Sequence, residues 1–410
     1  MSRKRVVISG IGIISPIGDS IDDFWNAVLD GKSGIKYFSD EYRHLNINGV
    51  KGGGYISRID LSRFEIRKDK IRQIKDSEKT TKMLIYAGLS ALEDAGIKYP
   101  LDVEKYNLGM IVGTGMSLAE RYSEIPYSER NPKWFLETYP NIHLAYFSTI
   151  TSLKGFSSTI VTACTGGSQA IGTAFRMICN GDADIMLAGG VDSRFSTPYI
   201  YGFSRLNMIN TEQDLLSAMR PFDRNRSGFV MGEGSCILVI ESLEHCMERG
   251  GTAICEIVGY GNASDATSLT DANCHGKYRA MDMALRDAGI SIDQIDYINS
   301  HGTSTQSNDR EESKAIKELF GKRAYDIPVN STKSIIGHTF AACGAIEAAV
   351  CAKSILSEKI HKTLNFTLGD IYCDLNYVKD DVIQKKIAYC ISNNSSIGGY
   401  NTSLVFKEID

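Results

Sequence analysis

Ser158-Thr159-Ile160-Val161-Thr162-Ala163-Cys164-Thr165-Gly166-Gly167-Ser168-Gln169-Ala170 begins with β-branched residues and passes, across one turn, into small side chains at helical spacing. The first part predicts a short buried strand, Ser158 to Thr162, and the second a helix from Gly167 to Ile178. Cys164 then falls on a strand-to-helix turn. There the free backbone N–H groups and the positive helix end favour thiolate over thiol, and the glycines let a substrate approach the sulfur. Free cysteine is also among the most buried residue types, and the chain has ten, so core filling is the commoner reading of Cys164 taken alone. The rest of the chain decides between them.

The chain has 410 residues, 43% hydrophobic and 23% charged, enough for two or three domain-sized cores of a soluble globular protein. A formal charge of −4 gives no general pull toward nucleic acid or anionic membrane, so an acidic partner needs a local basic patch. No cysteines form a C-x-x-C pair, which argues for reduced thiols, a cytoplasmic location and no zinc site. Met1 to Arg5 leads at once into the strand pattern Arg5 to Ile14, without a signal-peptide apolar region. The most apolar stretch, Phe340 to Val350, is interrupted by Glu347 and falls short of the ~18 apolar residues of a spanning helix.

Gly10 and Gly12 follow a strand but lack the third glycine of a dinucleotide fingerprint. Asp19 or Ser20 can cap a helix running to Asp30, with Gly31 as its stop. The cationic run from Arg67 to Lys82 reads as a solvated face or as a docking patch for an acidic carrier.

Two segments repeat one pattern. Leu92 to Ile97 (LEDAGI) ends a helix before the strand Leu108 to Val112, and Leu285 to Ile290 (LRDAGI) ends another before Tyr297 to Asn299. Both strands end in glycine turns. This predicts an α/β chain duplicated into halves 1–250 and 251–410, with buried sheets whose strand ends meet at one seam. Residues 116–147, rich in Tyr, Pro and charge, read as an insertion capping the first half. Asp184 to Gly190 and Ser235 to Ile240 predict further strands. In the polar loop from Arg220 to Gly234 the arginines are expected to pair the loop's own acids.

His301 lies just past a predicted strand, and His338 follows Lys333 by one short loop. If the halves face each other, these turns bring a thiol, two imidazoles and an ammonium to one cleft. Glu347, in the apolar helix from Phe340, needs a cation, because an unpaired buried carboxylate costs several kcal/mol; Lys333 is the expected partner.

Taken in order, Thr162-Ala163-Cys164, Pro221-Phe222-Asp223 to Gly232-Glu233-Gly234, His301-Gly302-Thr303-Ser304-Thr305, Lys333-Ser334 to Gly337-His338-Thr339 and Gly398-Gly399-Tyr400-Asn401 resemble the elongating β-ketoacyl-[acyl-carrier-protein] synthases along nearly the whole chain. The resemblance implies a duplicated thiolase-type fold of five α-β-α-β-α layers with mixed sheets, and a dimer whose axis runs beside the nucleophile strand. It implies Cys164 as nucleophile, His301 and His338 as donors to the malonyl thioester oxygen, and Lys333 with Glu347 fixing the field around them. Cys164 and Ile397 would supply the backbone N–H groups of an oxyanion hole, and Thr303 and Thr305 would contact phosphopantetheine. No resident cofactor is implied, since substrates ride on the phosphopantetheine of acyl carrier protein.

Ser396-Ile397-Gly398-Gly399-Tyr400-Asn401 departs from the Gly-Phe-Gly-Gly-Thr-Asn of fatty-acid elongating enzymes, replacing the aromatic gate by isoleucine. Thr305 to Arg310, Ala324 to Val329 and Cys373 to Val378 are more similar to catalytic ketosynthase subunits of type II polyketide systems. The reading is therefore polyketide or polyene assembly, with fatty-acid elongation as the alternative and a homodimer or a heterodimer with a silent chain-length partner both open. Such a silent partner lacks the cysteine. A degradative thiolase would use a second cysteine near the C-terminus, where Ser395 and Ser396 stand, and a cysteine protease would leave Lys333 and one histidine without a role.

Overall fold

The computed structural model describes residues 3–102, 108–115, 126–130, 132, 134–212 and 214–410. Ten strands form one mixed sheet: β1 (Val6–Ile14), β2 (Gly109–Thr114), β3 (Ser157–Ile160), β4 (Ile185–Asp192), β5 (Gly234–Ser242), β6 (Cys255–Ser264), β7 (Tyr297–Asn299), β8 (Val329–Asn330), β9 (Tyr389–Ser395) and β10 (Tyr400–Lys407). Their spatial order is β8-β7-β9-β10-β6-β1-β5-β4-β2-β3. Only Val6 to Ile8, paired with Cys255 to Ile257, join the two halves at the β1–β6 seam.

Outward from that seam the halves repeat. β1-β5-β4-β2-β3 and β6-β10-β9-β7-β8 share the same connectivity and the same senses: antiparallel for the first two pairs, parallel for the outer two. The helices repeat too. α1 (Lys79–Asp94), α2 (Ile142–Thr151) and α3 (Gly166–Asn180) in the first half answer to α4 (Cys274–Ala288), α5 (Gln306–Phe320) and α6 (Cys343–Ser357) in the second.

α1 packs on β1 and β5, and α4 on β6 and β10, while α3 and α6 lie between the half-sheets and touch strands of both. This is the five-layered thiolase-type arrangement. It explains why β1, β4 and β5 are buried along their whole length, since helices cover both faces. It also explains the apolar α6: Phe340–Ser357 has the length and hydropathy of a membrane span but is 83% buried inside the protein.

Local signals give the element ends. Ser20 caps the helix Ile21–Leu29 by accepting from the Asp23 N–H at 3.1 Å. Several expectations need correcting. In the single chain the strand leading to Cys164 is not a buried one: β3 stops at Ile160, pairs only with β2 at the sheet's edge, and carries half-exposed side chains. Of the expected insertion over 116–147, residues 116–125, 131 and 133 lie outside the described residues, and its end is not a cap, because from Ile142 the chain is α2, whose Phe147 is fully buried against α1. Arg220 and Arg226 of the Arg220–Gly234 loop pair acids outside it. Arg226 reaches Asp370 at 2.5 Å and Asp309 at 3.6 Å, and Arg220 reaches Glu212 at 3.5 Å. In the cationic run Arg67, Lys68, Arg72 and Lys75 are exposed, but Lys79 turns inward to Glu233 and the Tyr42 hydroxyl.

Candidate active site

Cys164 sits in a one-turn 3-10 segment, Ala163–Thr165, that feeds directly into α3. Ala163 has φ +50°, a left-handed conformation that L-residues adopt at a cost and that commonly marks functional turns. The duplicated half carries the same device: Phe340–Ala342 is a 3-10 turn feeding α6, and Phe340 has φ +48°. Ala341 is thus the topological counterpart of Cys164. The two turns meet at the centre of the molecule, where the Cys343 thiol donates to the Cys164 carbonyl at 3.3 Å.

Gly113, at the end of β2, makes room for the start of α3. A Cβ there would lie 2.1 Å from the Gly166 carbonyl carbon and 2.3 Å from the Gly167 nitrogen, both backbone atoms.

His301 follows β7, and two backbone bonds to one buried carboxylate fix its loop: the His301 and Gly302 N–H groups donate to Glu312 at 2.8 and 2.9 Å. His338 follows Lys333–Ile336, its ring stacked on Phe340 at 4.8 Å between centroids. Its Nδ1 accepts from the Phe340 N–H at 3.2 Å, which leaves the proton of the neutral ring on Nε2. The two imidazoles stand 5.4 Å apart, nearly perpendicular. Burial pushes both well below the ordinary histidine value, and the Lys333 charge pushes the same way, so both are neutral at physiological pH.

Lys333 and Glu347 form the expected pair, Nζ to Oε1 at 2.5 Å, each 1% exposed. Asn394 donates to the other Glu347 oxygen at 2.6 Å. Burial pushes the Lys333 ammonium down, but Cys343 and Glu347 more than offset it and the group stays charged.

A cavity of about 590 Å³ is lined by Cys164, His301, His338, Thr303, Thr305 and Ile397 among others. The Thr303 and Thr305 hydroxyls are 2.9 Å apart. Ile397, 44% exposed, sits at the tip of the turn between β9 and β10. Phe203, Phe229 and Phe340 form its apolar wall, with Phe203 stacked on Phe340. Lys333 and Glu347 stand behind the histidines, outside the lining. The expectation of a resting thiolate is corrected: burial pushes the Cys164 thiol up to about 12, against the pull of Lys333 and Arg194. Desolvation outweighs the helix end here, and the resting group is a thiol.

Two participants were missed from the sequence. Asn394 gives no pattern signal. Lys277 does: it shares the helical stripe of Ala280, Met281, Ala284 and Leu285, so it had to be a buried lysine, and it lines the same cavity.

The chain matches two family models, "Beta-ketoacyl synthase, N-terminal domain" over residues 3–245 and "Beta-ketoacyl synthase, C-terminal domain" over 254–367. It is 36% identical to a 3-oxoacyl-[acyl-carrier-protein] synthase 2 of Staphylococcus aureus (strain COL), covering 100% of this chain and 99% of that protein. Among solved structures it is similar to AntDE:AntF, a type II PKS acyl-carrier protein in complex with its ketosynthase bound to the hexaketide (TM-score 0.89, 28% identity, 100% of both chains). It is also similar to the ishigamide ketosynthase/chain length factor (TM-score 0.90, 26% identity, 100% of both chains).

Proposed function

Because this chain belongs to the β-ketoacyl synthase family, and is thus an acyltransferase of the 3-oxoacyl-[acyl-carrier-protein] synthase type, we propose that it extends a polyketide or polyene chain held on Cys164 by decarboxylative condensation with malonyl carrier protein. The observation that carries this reading is a pair of buried, neutral histidines lining one cavity with a strand-end cysteine.

In the first half-reaction Cys164 Sγ attacks the acyl thioester, a C–S bond forms, and the carrier thiol leaves with the proton that Cys164 gives up. Because that proton is held tightly at rest, it departs as the bond forms. In the second, the malonyl C–C bond breaks and carbon dioxide leaves. The electron pair enters an enolate whose oxygen accepts hydrogen bonds from the His301 and His338 N–H groups. The enolate carbon attacks the acyl carbonyl, the N–H groups of Cys164 and Ile397 hold the resulting oxyanion, and collapse expels the Cys164 thiolate, which takes up a proton from solvent to return to the thiol. Burial keeps the histidines neutral so that they donate rather than carry charge, and Lys333, fixed by Glu347, adds to that effect. Thr303 and Thr305 bind the phosphopantetheine arm. No resident cofactor takes part.

Isoleucine at 397 in place of the aromatic gate supports the polyketide choice, and the Staphylococcus aureus relative supports fatty-acid elongation as the second reading. The partner is acyl carrier protein, met in the cytoplasm. The exposed edge of β3 takes up a second subunit, either another copy or a catalytically silent homologue.

The test is intact-mass and peptide mass spectrometry of the protein mixed with acyl and malonyl carrier proteins. An acyl adduct on the Cys164 peptide, followed by 3-oxoacyl carrier protein, is expected. No adduct and untouched malonyl carrier protein, with or without a co-expressed homologue, would refute it. Faster turnover of 3-oxo or unsaturated chains than of saturated ones of equal length is expected, and the reverse order assigns the chain to lipid synthesis.

A further inference from the structure

A charged lysine placed on the buried stripe of a helix is costly unless it holds something. Lys277, 5% exposed, projects from the first turn of α4 into the cavity wall. Its ammonium donates to Asn308 Oδ1 at 2.8 Å and to Ser395 Oγ at 2.5 Å. Burial lowers its affinity for the proton, while Glu312, Asp265, Asp309 and Glu311 counter that loss.

Ser395 is the last residue of β9, immediately before the turn that carries Ile397. Its hydroxyl, accepting from Lys277, donates to Asn401 Oδ1 at 2.7 Å. Asn401 in turn donates to Gly399 O at 3.1 Å and Asp265 at 2.8 Å. The turn needs such a clamp, because Gly398 and Gly399 take φ +86° and +76°, conformations open to many alternatives in glycine. Its other ties are backbone bonds: Ser396 N–H to Tyr400 O at 2.8 Å, Gly399 N–H to Ser396 O at 3.1 Å, Gly398 N–H to Leu269 O at 2.8 Å and Asp265 N–H to Gly399 O at 2.8 Å.

We propose that Lys277 is a positioning residue that sets the Ile397 N–H through the chain Lys277–Ser395–Asn401–Gly399, and so governs the oxyanion step without touching the reacting atoms. This rests on the condensing-enzyme reading above. The histidines are held by hydrogen bonds that Lys277 does not join, from the His301 loop to Glu312 and from the Phe340 N–H to His338, although Glu312 feels the Lys277 charge. Acyl transfer to Cys164 uses the oxyanion hole, whereas malonyl decarboxylation uses the histidines, so the loss of Lys277 falls mainly on the first.

The experiment compares wild type, Lys277→Met, Ser395→Ala and the double variant. For each, the rate of acyl transfer from carrier to Cys164, the rate of malonyl carrier decarboxylation without an acyl chain, and hydrogen exchange of the peptide spanning 396–400 are measured. Lys277→Met is expected to slow acyl transfer about 10- to 100-fold, the scale of a misplaced oxyanion donor. Decarboxylation should change less than about threefold, the 396–400 peptide should exchange about tenfold faster, and the double variant should be no worse than the poorer single one. Equal loss in both half-reactions, unchanged acyl transfer, or additive losses would overturn the proposal. If Lys277→Met does not fold, Ser395→Ala alone is read against the same expectations. If wild type forms no Cys164 adduct, the condensing-enzyme reading fails instead, and unchanged exchange at 396–400 would still refute the clamp.

Discussion

Replacing Glu347 by alanine strands the Lys333 ammonium in the protein interior. Both members of the pair are 1% exposed and joined at 2.5 Å, so bulk solvent does not reach the ammonium that the lost carboxylate leaves behind. Breaking a buried ion pair from one side costs about 3–5 kcal/mol. For a chain of this length that corresponds to roughly 5 °C in the unfolding midpoint. Asn394 loses its acceptor as well, which adds to the cost. The paired replacement Lys333→Met/Glu347→Leu removes both charges and fills much of the volume, and should recover more than half of the lost stability. Condensation should not recover with it, because the Lys333 charge that shapes the field at His301 and His338 is gone. Thermal and urea unfolding of the three proteins, with carrier-dependent product formation, test this. A Glu347→Ala loss below about 1 kcal/mol, or a double variant no more stable than the single one, would refute the reasoning.

Cys164→Ala should leave the protein folded and abolish the acyl adduct, read by intact mass. His301→Ala should retain the adduct but slow malonyl decarboxylation about 10²- to 10³-fold, the scale of one lost donor at a developing oxyanion. Gly113→Ala should destabilise strongly and displace the Cys164 turn, since the added carbon meets backbone rather than movable side chain; soluble yield and Cys164 alkylation rate report it. Stability should fall as the pH drops from 6.5 to 4: burial lowers His143 and His361 to about 4 in the folded state, so the unfolded chain takes up protons first. Each can contribute about 3 kcal/mol across that window. The melting midpoint against pH checks this, and a shallower slope is expected for His361→Asn.

How far each residue was legible follows from what it interacts with. Ser20 and the glycine turns act on their own neighbours, so capping and strand-end signals placed them within a residue or two. The repeated Leu92–Ile97 and Leu285–Ile290 motifs disclosed the duplication because each half must bury the same helix on the same kind of sheet. The Lys333–Glu347 pair was legible for a different reason: a carboxylate inside an apolar helix demands a cation, and few were near. Arg226 of the Arg220–Gly234 loop misled because its partners Asp370 and Asp309 are distant in sequence, and charge pairing carries no local signature.

The sequence by itself determined the α/β duplication, the turn that carries Cys164 and the inventory of thiol, imidazoles and buried pair, because periodicity, glycine turns and the cost of burying charge are written in neighbouring residues. Only the tertiary structure decided that β3 is the edge strand of the chain's sheet, that burial raises the Cys164 thiol, and that Lys277 reaches Ser395 beside the Ile397 turn. Each of those depends on what covers a residue from the other half of the chain. Solvent exclusion and long-range hydrogen bonds are set by packing, which no local pattern encodes.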